Sequence, residues 1–203
     1  MKKLILSTKI IKDKYNNKNI LIDSDIMNMM KILKVSIFPH IKNGFTLRND
    51  VHKADGVILF GGGDLYELEK TPENLIRDKI EQKLIKIFSK YNKPILGICR
   101  GYQQIMKHYK VSPEKKGGHI RTVHKLKISK SKFLKRGTIS VNSYHNYIIS
   151  KLPENFEIVS KHIDNSIEIM EHKKKKILCL MFHPERKMKS QKRILNSIKN
   201  FFK

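Results

Sequence analysis

Thiols and acids are what this chain is short of. Its two cysteines, Cys99 and Cys179, are too few for a disulfide framework or a four-thiolate metal centre, which points to a reducing cytoplasm. Only 18 Asp and Glu oppose 43 Lys and Arg, leaving a formal charge of +25. No uninterrupted apolar run approaches the ~20 residues of a bilayer span. The opening MKKLIL is interrupted at Lys9 and Lys12 before a secretory core of ~7–15 apolar residues can form, so it reads as a first buried strand. Zinc-finger spacing, RNP-type motifs and aromatic-interleaved basic blocks are missing too. The lysines are spread along the whole chain. They are expected to solvate the surface and to draw in a small anionic substrate, with no specific nucleic acid and no membrane as partner.

What is present suits one folded domain over residues 1–203, since 39% of the residues are hydrophobic. Short apolar runs alternate with amphipathic stretches, the pattern of β-α units around a mainly parallel sheet. KLILST (3–8), VSIFPH (35–40, closed by Pro39) and ADGVILFGGG (54–63) read as strands, and DSDIMNMMKILK (23–34) as a helix. TPENLIRDKIEQKLIKIFSKYN (71–92) has helical spacing, with Thr71 as N-cap and Pro72 as first residue. KPILGICRGYQQIMKHYK (93–110) reads as strand, sharp turn and helix. Beyond it, KLKIS and TISVN are expected as short antiparallel strands, and FEIVSKH, SIEIMEH and ILCLMFH as successive strands. Lys173–Lys176 then forms a solvated turn and RILNSIKNFFK a closing helix.

Three separated segments carry chemistry. In GICRG (97–101), Cys99 sits between glycines at a strand-to-helix junction, the arrangement of a nucleophile elbow. A lone cysteine would more often be an inert core residue, and the flanking glycines tip the balance. In MFHPER (181–186), His183 and Glu185 can supply an imidazole and the carboxylate that orients it. FGGGD (60–64) ends a buried strand in glycines able to offer bare N–H groups to an oxyanion. A purely structural turn is the alternative there; a phosphate loop is disfavoured, because G-x-x-x-x-G-K-[ST] does not occur. Cys179 reads as core.

In that order GGGD, GICRGYQ, VNSYHN and FHPE resemble the class I glutamine amidotransferase superfamily, and particularly its γ-glutamyl hydrolase branch. Arg77-Asp78-Lys79-Ile80-Glu81 fits that branch's R-D-x-x-E pattern. The resemblance implies an α/β fold, a flavodoxin-like three-layer sandwich with a mainly parallel central sheet and a small antiparallel addition. It implies Cys99 as nucleophile, His183 as general base and acid, and Glu185 as orienting carboxylate, with no metal or organic cofactor. Gly62 and Arg100 would supply oxyanion-hole N–H groups, and Gly61, Gly63, Gln103, Ser143, Tyr144 and His145 would contact substrate. The implied reaction is cleavage of a γ-glutamyl amide through a γ-glutamyl thioester, releasing glutamate, with γ-glutamyl-CDP-amidate of capsule phosphoramidate synthesis as the best-fitting substrate. Alternatives are a glutaminase subunit feeding ammonia to a partner synthase and a γ-glutamyl polyamine or GABA hydrolase; a homodimer is also compatible. Phe60, Tyr102 and Met181 depart from the branch's usual residues and touch the pocket rim.

Overall fold

The computed structural model describes residues 1–38, 41–42 and 46–203. Pro39, expected to close the second strand, and His40 lie outside the described residues. The strands of the central sheet and of the long hairpin, with four helices, follow in order: β1 (Lys2–Ser7), α1 (Ser24–Leu33), β2 (Val35–Ile37), β3 (Gly56–Leu59), α2 (Pro72–Lys90), β4 (Ile95–Ile98), α3 (Arg100–His108), β5 (Ile120–Ile128), β6 (Gly137–Tyr144), β7 (Phe156–Lys161), β8 (Ile167–His172), β9 (Ile177–Leu180) and α4 (Gln191–Phe201). Seven of the strands make one sheet in the order β7-β8-β9-β4-β3-β1-β2. Its β9-β4-β3-β1-β2 portion is parallel, while β7, β8 and β9 pair antiparallel at one edge. Short two-stranded ribbons are added outside it.

Strand periodicity splits the interior into two layers. Leu4 and Leu6 of β1 pack with Ile26, Met29 and Leu33 of α1 and with Ile194 and Ile198 of α4. Ile5 between them joins Leu84, Ile85 and Phe88 of α2 and Ile105 and Met106 of α3. The same alternation recurs in β9, where Leu178 and Leu180 face one layer and Ile177 and Cys179 the other. A strand buried on both faces reads as a continuous apolar run, which is why these segments stand out in the sequence. The result is the mixed α/β, mostly parallel sandwich that the resemblance implied, with small antiparallel additions. Helix starts follow capping chemistry. Thr71 Oγ1 accepts from the Asn74 N–H at 3.2 Å with Pro72 at the first turn, and Asp23 Oδ1 accepts from Ile26 N–H at 2.9 Å.

The β5–β6 hairpin is longer than the two short strands expected, pairing from Ile128–Gly137 out to Ile120–Tyr144. Leu126, Ile128, Ile139 and Val141 anchor it on the α1/α4 face of the sheet. Its far end carries Asn142 to His145 to the carboxyl ends of the parallel strands. Among the described residues no helix is long and apolar enough to cross a membrane.

Candidate functional site

Cys99 occupies the single residue between β4 and α3 with φ 50° and ψ −107°, a strained left-handed conformation for a side chain bearing a Cβ. Its N–H donates to the Leu180 carbonyl at 2.8 Å, and its own carbonyl accepts from Gln103 N–H at 3.1 Å. Neighbouring glycines make the bend possible by close approach. A Cβ on Gly101 would lie 2.0 Å from the Leu59 carbonyl oxygen, and one on Gly97 would lie 2.5 Å from Ile105 Cδ1.

Beyond β3, Gly62 and Gly63 take φ of 85° and 70°, which L side chains rarely adopt. A buried guanidinium clamps the turn. Arg77 donates to the carbonyls of Phe60 (2.5 Å), Gly62 (2.6 Å) and Gly61 (3.3 Å), and its Nε donates to Glu81 at 2.9 Å. Glu81 also accepts from Arg100 and, at 2.7 Å, from Ser7. Arg100 completes the network on Asp78 and on the Asp64 carbonyl. Desolvation and the neighbouring Arg100 charge push Arg77 down to about 10, and burial pushing the Glu81 carboxyl up is outweighed by the two guanidiniums, which hold it below its ordinary range. The R-D-x-x-E segment thus fixes the glycine turn and the elbow relative to one another.

His183 follows β9. Asn142 brackets its backbone, donating to the His183 carbonyl at 2.9 Å and accepting its N–H at 2.8 Å. Glu185 Oε1 lies 2.6 Å from Nδ1, which leaves Nε2 for the other side of the ring. A Cβ placed on Gly61 would sit 3.3 Å from both His183 Nε2 and Cys99 Cβ, so glycine turn, elbow and imidazole converge on one point. Burial pushes this imidazole down, but Cys99 and Glu185 beside it outweigh burial and raise it to about 10. Cys179, by contrast, lies wholly in the core, and burial pushes its thiol well up.

A cleft of about 210 Å³ opens over this point. Of the expected residues, Gly62, Gly63, Cys99, Arg100, Gln103, Tyr144, His145 and His183 line it; Gly61 backs the imidazole and Glu185 stands behind it. Ser143 does not line it: its fully buried hydroxyl donates to the His119 carbonyl at 2.7 Å. Asp64, Asn146, Tyr147 and Arg186 line the cleft without having been singled out in sequence. Arg186 lies over the Tyr144 ring, 4.9 Å from its centroid.

His145 also belongs to a second, deeper assembly. His119, His124, His145 and Glu168 are all buried, and one ligand-type atom from each lies within 4.8 Å of every other. Nδ1 of His124 and Nε2 of His145 lie 3.3 and 3.6 Å from Glu168 Oε1. Burial pushes the Glu168 carboxyl up, but His124 and His145 outweigh it and hold the group at about 2. This finding corrects the expected function. The sequence reading put all chemistry into a cysteine-dependent Cys–His–Glu triad working through a γ-glutamyl thioester, with a nucleotide amidate as substrate. The ligand-type cluster among the described residues is instead this His/Glu group; it includes neither cysteine, and both cysteines are buried outside it. A thioester account leaves the cluster with no part to play, although buried polar groups of this kind need partners. No sequence motif announces it, because its members come from the ends of β5 and β6, from within β5 and from β8.

Comparison with known proteins fits the fold. The class I glutamine amidotransferase model matches residues 11–202. A γ-glutamyl-CDP-amidate hydrolase of Campylobacter jejuni is 36% identical over 135 residues, an alignment covering 66% of this chain and 64% of that protein. Anthranilate synthase component 2 of Helicobacter pylori is 35% identical over 118 residues, covering 55% of this chain and 60% of that protein. The chain thus spans somewhat less than two thirds of either relative. A crystal structure of a glutamine amidotransferase from Thermotoga maritima superposes with a TM-score of 0.70 at 22% identity, covering 98% of this chain and 83% of that one, which speaks to fold. With the motifs in order on the parallel sheet and the family model spanning nearly the whole chain, this protein belongs to the class I glutamine amidotransferase family.

Proposed function

We propose that the chain hydrolyses the C–N bond of a small anionic amide in the cleft, water adding to the carbonyl carbon as the amine leaves, with His183 as the proton donor and Glu185 as the carboxylate that orients it. The observation that carries this reading is the convergence of His183 Nε2, Cys99 and the glycine turn on one point at the cleft floor. Hydrolysis of an amide is limited by departure of a poor leaving group, because the nitrogen must gain a proton as the bond breaks. His183 is suited to give it, since Cys99 and Glu185 beside it raise the imidazole above its ordinary value and so favour the protonated ring. Glu185 fixes the ring's orientation through Nδ1. The N–H groups of Gly62 and Arg100 take the charge that develops on the carbonyl oxygen; that of Arg100, first residue of α3, has no acceptor within its own helix. Gln103, Tyr144 and His145 form the wall against the acyl portion, and Arg186 offers a cation for an anionic group at the rim. The large positive charge of the chain favours capture of such a substrate.

The reading is tested by assaying purified protein on glutamine and on a panel of anionic small amides, following released ammonia or amine. His183→Gln is expected to lower kcat/KM by at least ~100-fold while the unfolding midpoint stays within a few degrees. Undiminished turnover in that variant would remove the cleft from the reaction.

A further inference from the structure

We propose that His119, His124, His145 and Glu168 bind one divalent transition-metal cation of the zinc class. The cluster meets three independent requirements of such a site. First, the donors are bare: His119 Nδ1, His124 Nδ1, His145 Nε2 and Glu168 Oε2 make no hydrogen bond, although each residue is at most 4% exposed. Four buried polar atoms facing one another without partners constitute an arrangement that native interiors avoid unless something sits between them.

Second, each imidazole is held from its other nitrogen. His119 Nε2 is 2.9 Å from Asp164 Oδ2, His145 Nδ1 is 3.1 Å from the Tyr147 carbonyl, and His124 Nε2 is 3.3 Å from Thr122 Oγ1. Metal-ligating histidines are oriented in this way by a carboxylate, a carbonyl or another polar group, which selects the tautomer that leaves the inward nitrogen free. Asp164 is itself fixed by Ser166 at 2.7 Å and by Lys116 at 2.9 Å.

Third, the spacing suits a small cation. Tetrahedral bonds of ~2.0 Å place ligand atoms about 3.3 Å apart, and the two contacts to Glu168 already measure 3.3 and 3.6 Å. Modest inward rotation closes the rest from the present limit of 4.8 Å. Three imidazoles with one carboxylate favour zinc or a neighbouring first-row ion over magnesium or calcium, which take oxygen ligands. Bound there, the ion would tie the β5–β6 hairpin to β8 and hold His145 against the cleft wall. The resemblance implied no metal, and the cysteine count excluded only a four-thiolate centre; a site built from histidines on separate strands lies outside both readings.

The full-length chain, stripped with a strong chelator and dialysed, is titrated with zinc chloride and, separately, with cobalt(II) chloride. The expected result is one tight equivalent of zinc per chain, a zinc-dependent rise in the unfolding midpoint and tetrahedral-type visible absorption with cobalt. His124→Gln should weaken zinc binding by at least ~100-fold and abolish the cobalt bands, and Asp164→Asn, which leaves all four ligands in place, should weaken it by ~10–100-fold. Circular dichroism of each variant separates misfolding from ligand loss; if His124→Gln does not fold, Asp164→Asn carries the comparison alone. No stoichiometric binding of either ion to the wild-type chain overturns the proposal, as does binding unchanged in the folded variants. The readout is metal binding and not amide turnover, so the proposal fails or stands apart from the hydrolytic reading.

Discussion

The cleft and the histidine cluster meet at His145, yet they are built on opposite plans. The cleft is a backbone construction: a bend at Cys99 and a turn through Gly62 and Gly63 set its floor, and Arg77 and Arg100 lock the two together from behind. The cluster is a side-chain construction, in which four residues drawn from β5, β8 and two strand ends point inward from paired strands. A backbone site is intolerant of any added atom. A side-chain site tolerates the fold's ordinary variation but depends on each donor's orientation.

That contrast can be broken most sharply at Glu81. It is completely buried and ion-paired with both guanidiniums. Removing one partner of such a set leaves uncompensated buried charge, so Glu81→Gln should lose about 3–5 kcal/mol in urea unfolding. A loss below about 1 kcal/mol would mean that the network does not hold the two halves of the cleft. Next comes Gly61→Ala, whose new methyl would lie 2.5 Å from His183 Cε1. The imidazole must move, and a displacement of this kind should lower amide turnover by ~100-fold with little loss of stability. Equal turnover would show that the ring can be repositioned freely, as a side-chain site would allow.

A pH measurement sharpens the other half. His172 ends β8, the strand that carries Glu168, and its Nδ1 accepts the N–H groups of Lys174 and Lys175 at 3.0 and 3.1 Å. Burial first, then Lys175, Lys132 and Lys174, push its imidazole down to about 4 from 6.5. The unfolded chain therefore takes up this proton before the folded one. Stability should be full above about pH 6.5, fall as pH is lowered towards 4, and flatten below that. The unfolding midpoint measured at pH 7, 5.5 and 4 checks this, and His172→Asn should remove part of the slope. The smallest effect is expected at a control far from both regions: the exposed Lys2–Asp55 pair, 3.8 Å apart, should be replaceable by Lys2→Ala with no measurable shift in midpoint.

Legibility in the sequence followed the same division. Strands buried on both faces, the Thr71-Pro72 helix start and the Gly-x-Cys-x-Gly junction leave local signatures, and all are found where they were read. DSDIMNMMKILK differs only at its ends, where Asp23 and Lys34 cap the helix rather than entering it. The resemblance implied contact through the backbone of Ser143 and Tyr144, and the Ser143 hydroxyl itself is engaged by the His119 carbonyl. His119, His124 and Glu168 gave no signal. His119 and His124 sit on a lysine-rich stretch read as short strands, and Glu168 interrupts an apolar run. Nothing local says that residues spread from His119 to Glu168 along the chain will share one interior space. Arg186 and Tyr147 were missed for a simpler reason, since rim residues carry no motif of their own.

One feature of the interior reaches the outside of the molecule. Asp78, Glu81, Glu168, Glu171 and Glu185 are buried with Arg77 and Arg100, whereas no lysine is among the buried residues described. The inside therefore holds more negative than positive groups, and the solvent-facing shell is more cationic than the overall +25 suggests. Ionic strength then governs chiefly how neighbouring molecules repel one another and how polyanions adhere, while the packed layers beneath are largely indifferent to it.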